Sequence, residues 1–186
     1  MPEKTIVDES SSHMKKAVEH VQHQLAKVRT GRASASLLDN VKVEYYGEQT
    51  PVGQVGSIST PDARSILIQP WDRSALSGIE RAILAANLGI TPQNDGQVIR
   101  INVPPLTEER RKDIVKMCKK IAEDGKLAVR NIRRDANEEL KKNEKTEHYS
   151  EDERKRGEDD VQKQTDKYIK EIDTILAAKE VEVMEE

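Results

Sequence analysis

In the first thirty residues apolar side chains recur at Met14, Val18, Val21, Leu25 and Val28, in steps of 4, 3, 4 and 3 with polar residues between them. This is the spacing of a single helix face. A second run follows the same rule at Ile114, Cys118, Ile121, Gly125, Ala128, Ile132 and Ala136, and a third at Val161, Thr165, Tyr168, Ile172 and Ile175. A helix with one narrow apolar seam gains most of its stability by packing that seam against others. Three such seams predict an antiparallel three-helix bundle.

Composition changes sharply between the first and second seams. Seven of the nine glycines and six of the seven prolines fall within residues 31–105, and charge thins there: 13 of the 74 residues 31–104 are charged, against 43 of the 82 residues 105–186. The middle therefore predicts a turn-rich α/β module inserted between helices one and two, and the chain as a whole an α+β fold. Residues 1–30 and 106–186 form the bundle, residues 31–105 the insertion, with crossings near 30–34 and 103–106. In the insertion, Val41–Tyr45 alternates like a strand closed by a turn at Gly47, and Gln54–Ile58, Ser65–Gln69 and Val98–Val103 are further strands. Ser74 to Asn87 carries Ile79, Ala82, Ile83 and Ala86 on one helical face, which covers a small sheet.

The ends of the long helices are also written locally. Thr5-Ile6-Val7-Asp8 reads as a capping box and Gly31 as a stop for helix one. Pro104-Pro105 ends the insertion; Thr107 caps helix two, with Glu108 and Glu109 where the helix dipole favours anions. Ser150-Glu151-Asp152-Glu153 is a second capping box.

The formal net charge of −3 conceals a strong asymmetry: residues 105–145 carry +4 and residues 146–186 carry −7. Two positions before the seam residues from Ile114 to Ile132 run Lys112, Lys116, Lys119, Glu123, Lys126 and Arg130, and steps of 3 and 4 continue the stripe through Arg133, Asn137 and Lys141. Two residues are 200° of helix, so this stripe is expected almost opposite the core. Arg110, Arg111 and Arg134 thicken it. A solvated helix face usually mixes signs, whereas seven of these nine positions are basic, which points to phosphate binding. Arginine forks at 130, 133 and 134 suit phosphate oxygens. Without interleaved aromatics, folded RNA read by shape is the expected target, with a helical adaptor docking an acidic protein as the alternative.

Other chemistry has little to stand on. His20 and His23 are three apart without a third metal ligand, and His13 and His148 lie near helix starts. Cys118 sits in a seam, as a small buried hydrophobe does. Gly53-Gln54-Val55-Gly56 matches a KH-type loop only in its letters, and no catalytic motif is present, so neither catalytic residues, nor a metal, nor a cofactor is expected. The longest apolar run, Ala82–Ala86, cannot span a bilayer. Met1-Pro2-Glu3-Lys4 opens no secretory leader, so a cytoplasmic protein is expected.

Several long motifs in order resemble the bacterial ribosome recycling factor family. They are Val28-Arg29-Thr30-Gly31-Arg32-Ala33-Ser34, Val43-Glu44-Tyr45-Tyr46-Gly47, Pro104-Pro105-Leu106-Thr107-Glu108-Glu109-Arg110-Arg111-Lys112, Val129-Arg130-Asn131-Ile132-Arg133-Arg134-Asp135-Ala136-Asn137 and Asp159-Asp160-Val161-Gln162-Lys163. The resemblance implies an L-shaped, tRNA-sized monomer with a three-helix bundle and an inserted β/α/β domain. It implies binding in the intersubunit space of the bacterial ribosome after termination, against large-subunit rRNA. Acting with elongation factor G and its GTP hydrolysis, such a factor splits the ribosome without being an enzyme itself. Family RNA contacts carry over onto Arg29, Arg110, Arg130 and Arg133, to which the stripe adds Arg111, Lys112, Lys116, Arg134 and Asn137. Thr30, Gly31, Arg32 and Ala33 on one strand, and Val103, Pro104, Pro105 and Leu106 on the other, are the expected hinge.

Overall fold

The computed structural model describes residues 2–147 and 149–185, so His148 lies outside the described residues. The chain divides into two compact units, Met1–Thr30 with Glu108–Glu186, and Gly31–Thr107.

The first unit contains three long helices: α1 (Glu3–Ala26), α4 (Glu108–Thr146) and α5 (Glu151–Met184). Its 39 residues make α4 about 58 Å long at ~1.5 Å per residue. Ile6 and Ser10 of α1 line a groove with Ala136 of α4, and Val21 lies against Gly125, so α1 and α4 run antiparallel. Leu140 meets Gly157 and Lys126 meets Asp173, so α4 and α5 do too. Consequently α1 and α5 are parallel, with Glu3 beside Gly157 at one end and Thr30, just past α1, bonded to Glu182 at the other.

The N-cap of helix α1 lies three residues earlier than the Thr5 capping box predicts. Pro2 is its N-cap, and Ile6 and Val7 are buried, so tertiary packing extends the helix back over the local cap signal. It also ends at Ala26, short of Gly31, with Val28 donating its N–H to the Leu25 carbonyl. By contrast, the Ser150–Glu153 box forms in both directions. Arg154 then ties the α4–α5 turn together, binding Glu144 at 2.7 Å and Glu158 at 2.8 Å; those carboxylates, Glu158 first, raise its pKa.

The buried line of α4 is Ile114, Cys118, Ala122, Gly125, Val129, Ala136 and Leu140. Ile121, Ala128 and Ile132 of the expected seam are only half-buried. A helix held between two partners buries a 3.6-residue face, centred between them, whereas a heptad follows a single contact line. Gly125, which costs a helix about 1 kcal/mol relative to alanine, now has its reason: a Cβ there would run into Val21 Cγ2, with Ile172 Cδ1 at 3.5 Å. Burial raises the Cys118 thiol pKa, as befits a packed side chain.

The second unit is a four-stranded antiparallel sheet in the order β3-β4-β6-β5, a separate β1-β2 hairpin and one covering helix. The strands are β1 (Lys42–Tyr45), β2 (Glu48–Pro51), β3 (Gly56–Asp62), β4 (Ser65–Pro70), β5 (Pro92–Asn94) and β6 (Ile99–Asn102); α3 spans Leu76–Ala85. Ile66, Ile68, Ile99 and Ile101 from the sheet pack with Ile79 and Ile83 of α3. Gln54 and Val55, the start of the expected strand Gln54–Ile58, instead complete a single helical turn, α2 (Val52–Val55), with Val52 and Val55 both buried. The strand begins only at Gly56, where a Cβ would lie 2.6 Å from the Gln69 carbonyl oxygen. In the hairpin turn Tyr46 (φ 51) and Gly47 (φ 80) both take positive φ, the type I′ pattern. Strands β2 and β5 lack an alternating apolar face, which is why the sequence does not announce them.

Candidate nucleic-acid interface

Helix α4 positions nearly every predicted contact, and its true buried line moves them around the helix. Counting 100° per residue from Cys118, the stripe from Lys112 to Lys141 lies about 110° from the core line, on the flank toward α5. It is not opposite the core, as the heptad spacing implied. Two of its members are accordingly absorbed by the bundle. Lys126, whose side chain is 13% exposed, bridges Asp173 of α5 and Glu123; the hydrogen bond to Asp173 is the main reason its pKa is raised. Arg133 is half-buried and donates to Gln162 Oε1 at 3.4 Å. Asn137 is also half-buried, its Oδ1 without a partner among the described residues.

The remaining cations face solvent. Lys112 is exposed, paired with Glu108 one turn back at 3.2 Å. Arg134 is exposed and donates to Asn131 Oδ1. Lys116, Lys119, Lys120, Arg130 and Lys141 are exposed and form no ion pair among the described residues. By the same count Lys120 and Leu127 stand at about 200° and 180°, on the outermost line of the helix. The sequence stripe passes over both, because it was drawn from a seam displaced by one residue at Ile121 and Ala128.

The two ends differ. Arg110 is exposed but on the α1 side of α4, and half-buried Arg111 falls close to the core line, so the stripe's first turn does not gather on one face. Arg29 is exposed just beyond α1. In the second unit, Ala33 and Val103 donate their N–H groups to the Ala63 and Arg64 carbonyls, both at 2.7 Å. Gly31 (φ +83) packs on Leu106, where a Cβ would lie 2.6 Å from Cγ. Arg32 is exposed, as are Pro104 and Pro105; Thr30 donates to Glu182 Oε1 at 3.4 Å. Among the described residues no group of three or more His, Cys, Asp or Glu could hold a metal ion, and no helix is long and apolar enough to cross a membrane.

A family profile described as ribosome recycling factor matches residues 21–184. This chain belongs to the ribosome recycling factor family. It is 54% identical to the ribosome-recycling factor of Oleidesulfovibrio alaskensis, over 97% of this chain and 98% of that one. It is 55% identical to those of Symbiobacterium thermophilum (98% of each) and Bacillus licheniformis (97% of each). A solution structure of a ribosome recycling factor superposes with a TM-score of 0.73 at 46% identity, covering 98% of this chain and 97% of that chain. A second match, at TM-score 0.63 and 47% identity over the whole of both chains, comes from models for the T. thermophilus ribosome recycling factor and the E. coli elongation factor G bound to the E. coli post-termination complex.

Proposed function

We propose that this protein is a non-enzymatic translation factor that enters the post-termination ribosome between the subunits and, with elongation factor G and GTP, splits it for reuse. In the solved relative the recycling factor and elongation factor G are found together on a post-termination complex. The observation that carries the reading onto this chain is the row of exposed, unpaired cations on α4, Lys116, Lys119, Lys120 and Arg130, continued by Arg134. Helix neighbours of opposite sign would normally neutralise such a row. Left free, it is matched to phosphates, and Arg29, Lys112 and Arg133 extend the footprint.

The two crossings supply the mechanics in this reading. Ala33 and Val103 are both fastened to the β3–β4 turn, so bending concentrates at Thr30–Arg32 and Pro104–Leu106. Proline restricts φ on one strand, while Gly31 takes a positive φ on the other. Rotation about two short adjacent strands is restricted, as transmission of force requires.

The test is ribosome binding by Arg130→Ala and by Arg130→Ala with Arg133→Ala. Affinity should fall in that order, and the slope of log K against log salt should shrink by about 1 per phosphate contact removed. Fold stability should change little for Arg130, and slightly more for Arg133 because of its bond to Gln162. A double variant that binds as the parent does, or a parent that binds an unrelated acidic protein equally well, refutes the reading in favour of an adaptor.

A further inference from the structure

The cations on the outer faces of α4 are not continuous. Lys116, Lys119 and Lys120, with Lys112 paired to Glu108 one turn earlier, form one group, and Arg130 and Arg134, with half-buried Arg133 beside them, a second. Between them Glu123 is engaged with Lys126, and Asp124 faces the groove shared with His20 of α1. Leu127 lies in this interval, 52% exposed, on the outermost line of the helix. It is seven residues from Lys120 and seven from Arg134, so about 10 Å separates it from each along the axis.

An exposed leucine is common on protein surfaces. What sets this one apart is its place on the outermost line of the helix, midway between two groups of positive charge; Met117, the other large exposed apolar side chain of α4 among the described residues, lies about 80° away on the flank toward α1. A polyanion laid along α4 would bring its backbone to the two cation groups and some other part of itself to Leu127. Phosphate there would meet Glu123 and Asp124, which repel it. The less charged parts of RNA, its riboses and base edges, meet no such penalty, and the shallow groove of a double-helical segment presents both between its two backbones.

We infer that Leu127 is an apolar anchor of the RNA interface: α4 crosses the shallow groove of a folded RNA segment, with the lysine group on one backbone, the arginine group on the other, and Leu127 packed on the sugars between. This rests on the proposed ribosome-binding function and names a contact within that site which charge does not reveal. The chemistry is specific to RNA of A-form shape; a flexible single strand would instead ask for aromatic stacking, and α4 has no aromatic residue.

The experiment is salt-dependent binding of the full-length protein to 70S ribosomes, comparing the parent, Leu127→Ala, Leu127→Met and Arg130→Ala. Alanine keeps the helix, and methionine restores apolar bulk. Burying the truncated part of a leucine is worth roughly five- to tenfold in affinity. Leu127→Ala should therefore bind about that much more weakly at every salt concentration, with an unchanged slope of log K against log salt, and Leu127→Met should recover most of the loss. Arg130→Ala should change the slope instead. Equal affinity for Leu127→Ala and the parent overturns the inference while leaving ribosome binding standing. So does a loss that methionine fails to restore. A parent that shows no salt-dependent binding removes the proposed function itself.

Discussion

Replacing Gly125 with alanine sets two effects of opposite sign against each other. Alanine in a helix interior is worth about 1 kcal/mol over glycine, which would stabilise α4. The added methyl, however, would enter the space of Val21 Cγ2, while its approach to Ile172 at 3.5 Å is ordinary contact. Val21 is fully buried on α1, and a β-branched side chain in a helix has essentially one good χ1 well, so it has nowhere to turn. Overpacking of this kind costs about 1–3 kcal/mol, and the absence of a rotamer escape puts this site in the upper half of that range. The net expectation is a loss of about 1–2 kcal/mol, or a fall in Tm of several degrees at ~2–4 °C per kcal/mol for a chain of this size. Urea and thermal unfolding followed by far-UV circular dichroism, dominated by the three long helices, reads this change directly. The decisive comparison repeats the substitution in a Val21→Ala background. There the clash is gone, and Gly125→Ala should stabilise by up to about 1 kcal/mol, a coupling of ~2–3 kcal/mol between the two sites. Additive behaviour, with Gly125→Ala equally harmful in both backgrounds, would refute close helix approach as the reason for the glycine.

Two further outcomes concern the second unit. Gly47 and Gly31 share a positive φ, but only Gly31 has a neighbour in the way, so Gly47→Ala should cost about 1–2 kcal/mol and Gly31→Ala clearly more, with Leu106→Ala relieving the excess in calorimetric unfolding. The carboxylates of Asp62, Asp72 and Asp95 are held below their ordinary pKa, chiefly by backbone N–H groups of Arg64, Ser74 and Val98 respectively. Their folded values lie below the unfolded ones, so their stabilisation is complete above pH ~4 and fades as pH drops through the lowered values. Amide exchange at Ile66, Ile68, Ile99 and Ile101 should accelerate over that acid range, and Asp95→Asn, which keeps the capping oxygen without the charge, should flatten the profile.

Features that rest on neighbours along the chain are legible in the residue order alone. Three helices follow from apolar spacing, the Ser150–Glu153 cap from residues three apart, and the inserted module from where glycine and proline concentrate. The family motifs, too, are contiguous strings. Features that depend on direction around a helix or on a distant partner emerge only once the chain is packed. The α4 core line shifts at Ile121 and Ala128 because α1 and α5 are contacted together, and one residue of shift is 100° of rotation. That rotation withdraws Lys126 and Arg133 into contacts with α5 and places Lys120 and Leu127 outermost. Val52–Val55 curls into a turn because both valines are drawn into one core, and α1 starts at Glu3 because Ile6 and Val7 are buried. Gly125 is the clearest case: nothing within several residues of it explains a glycine in a long helix, and the reason sits about a hundred residues away, on the side chain of Val21.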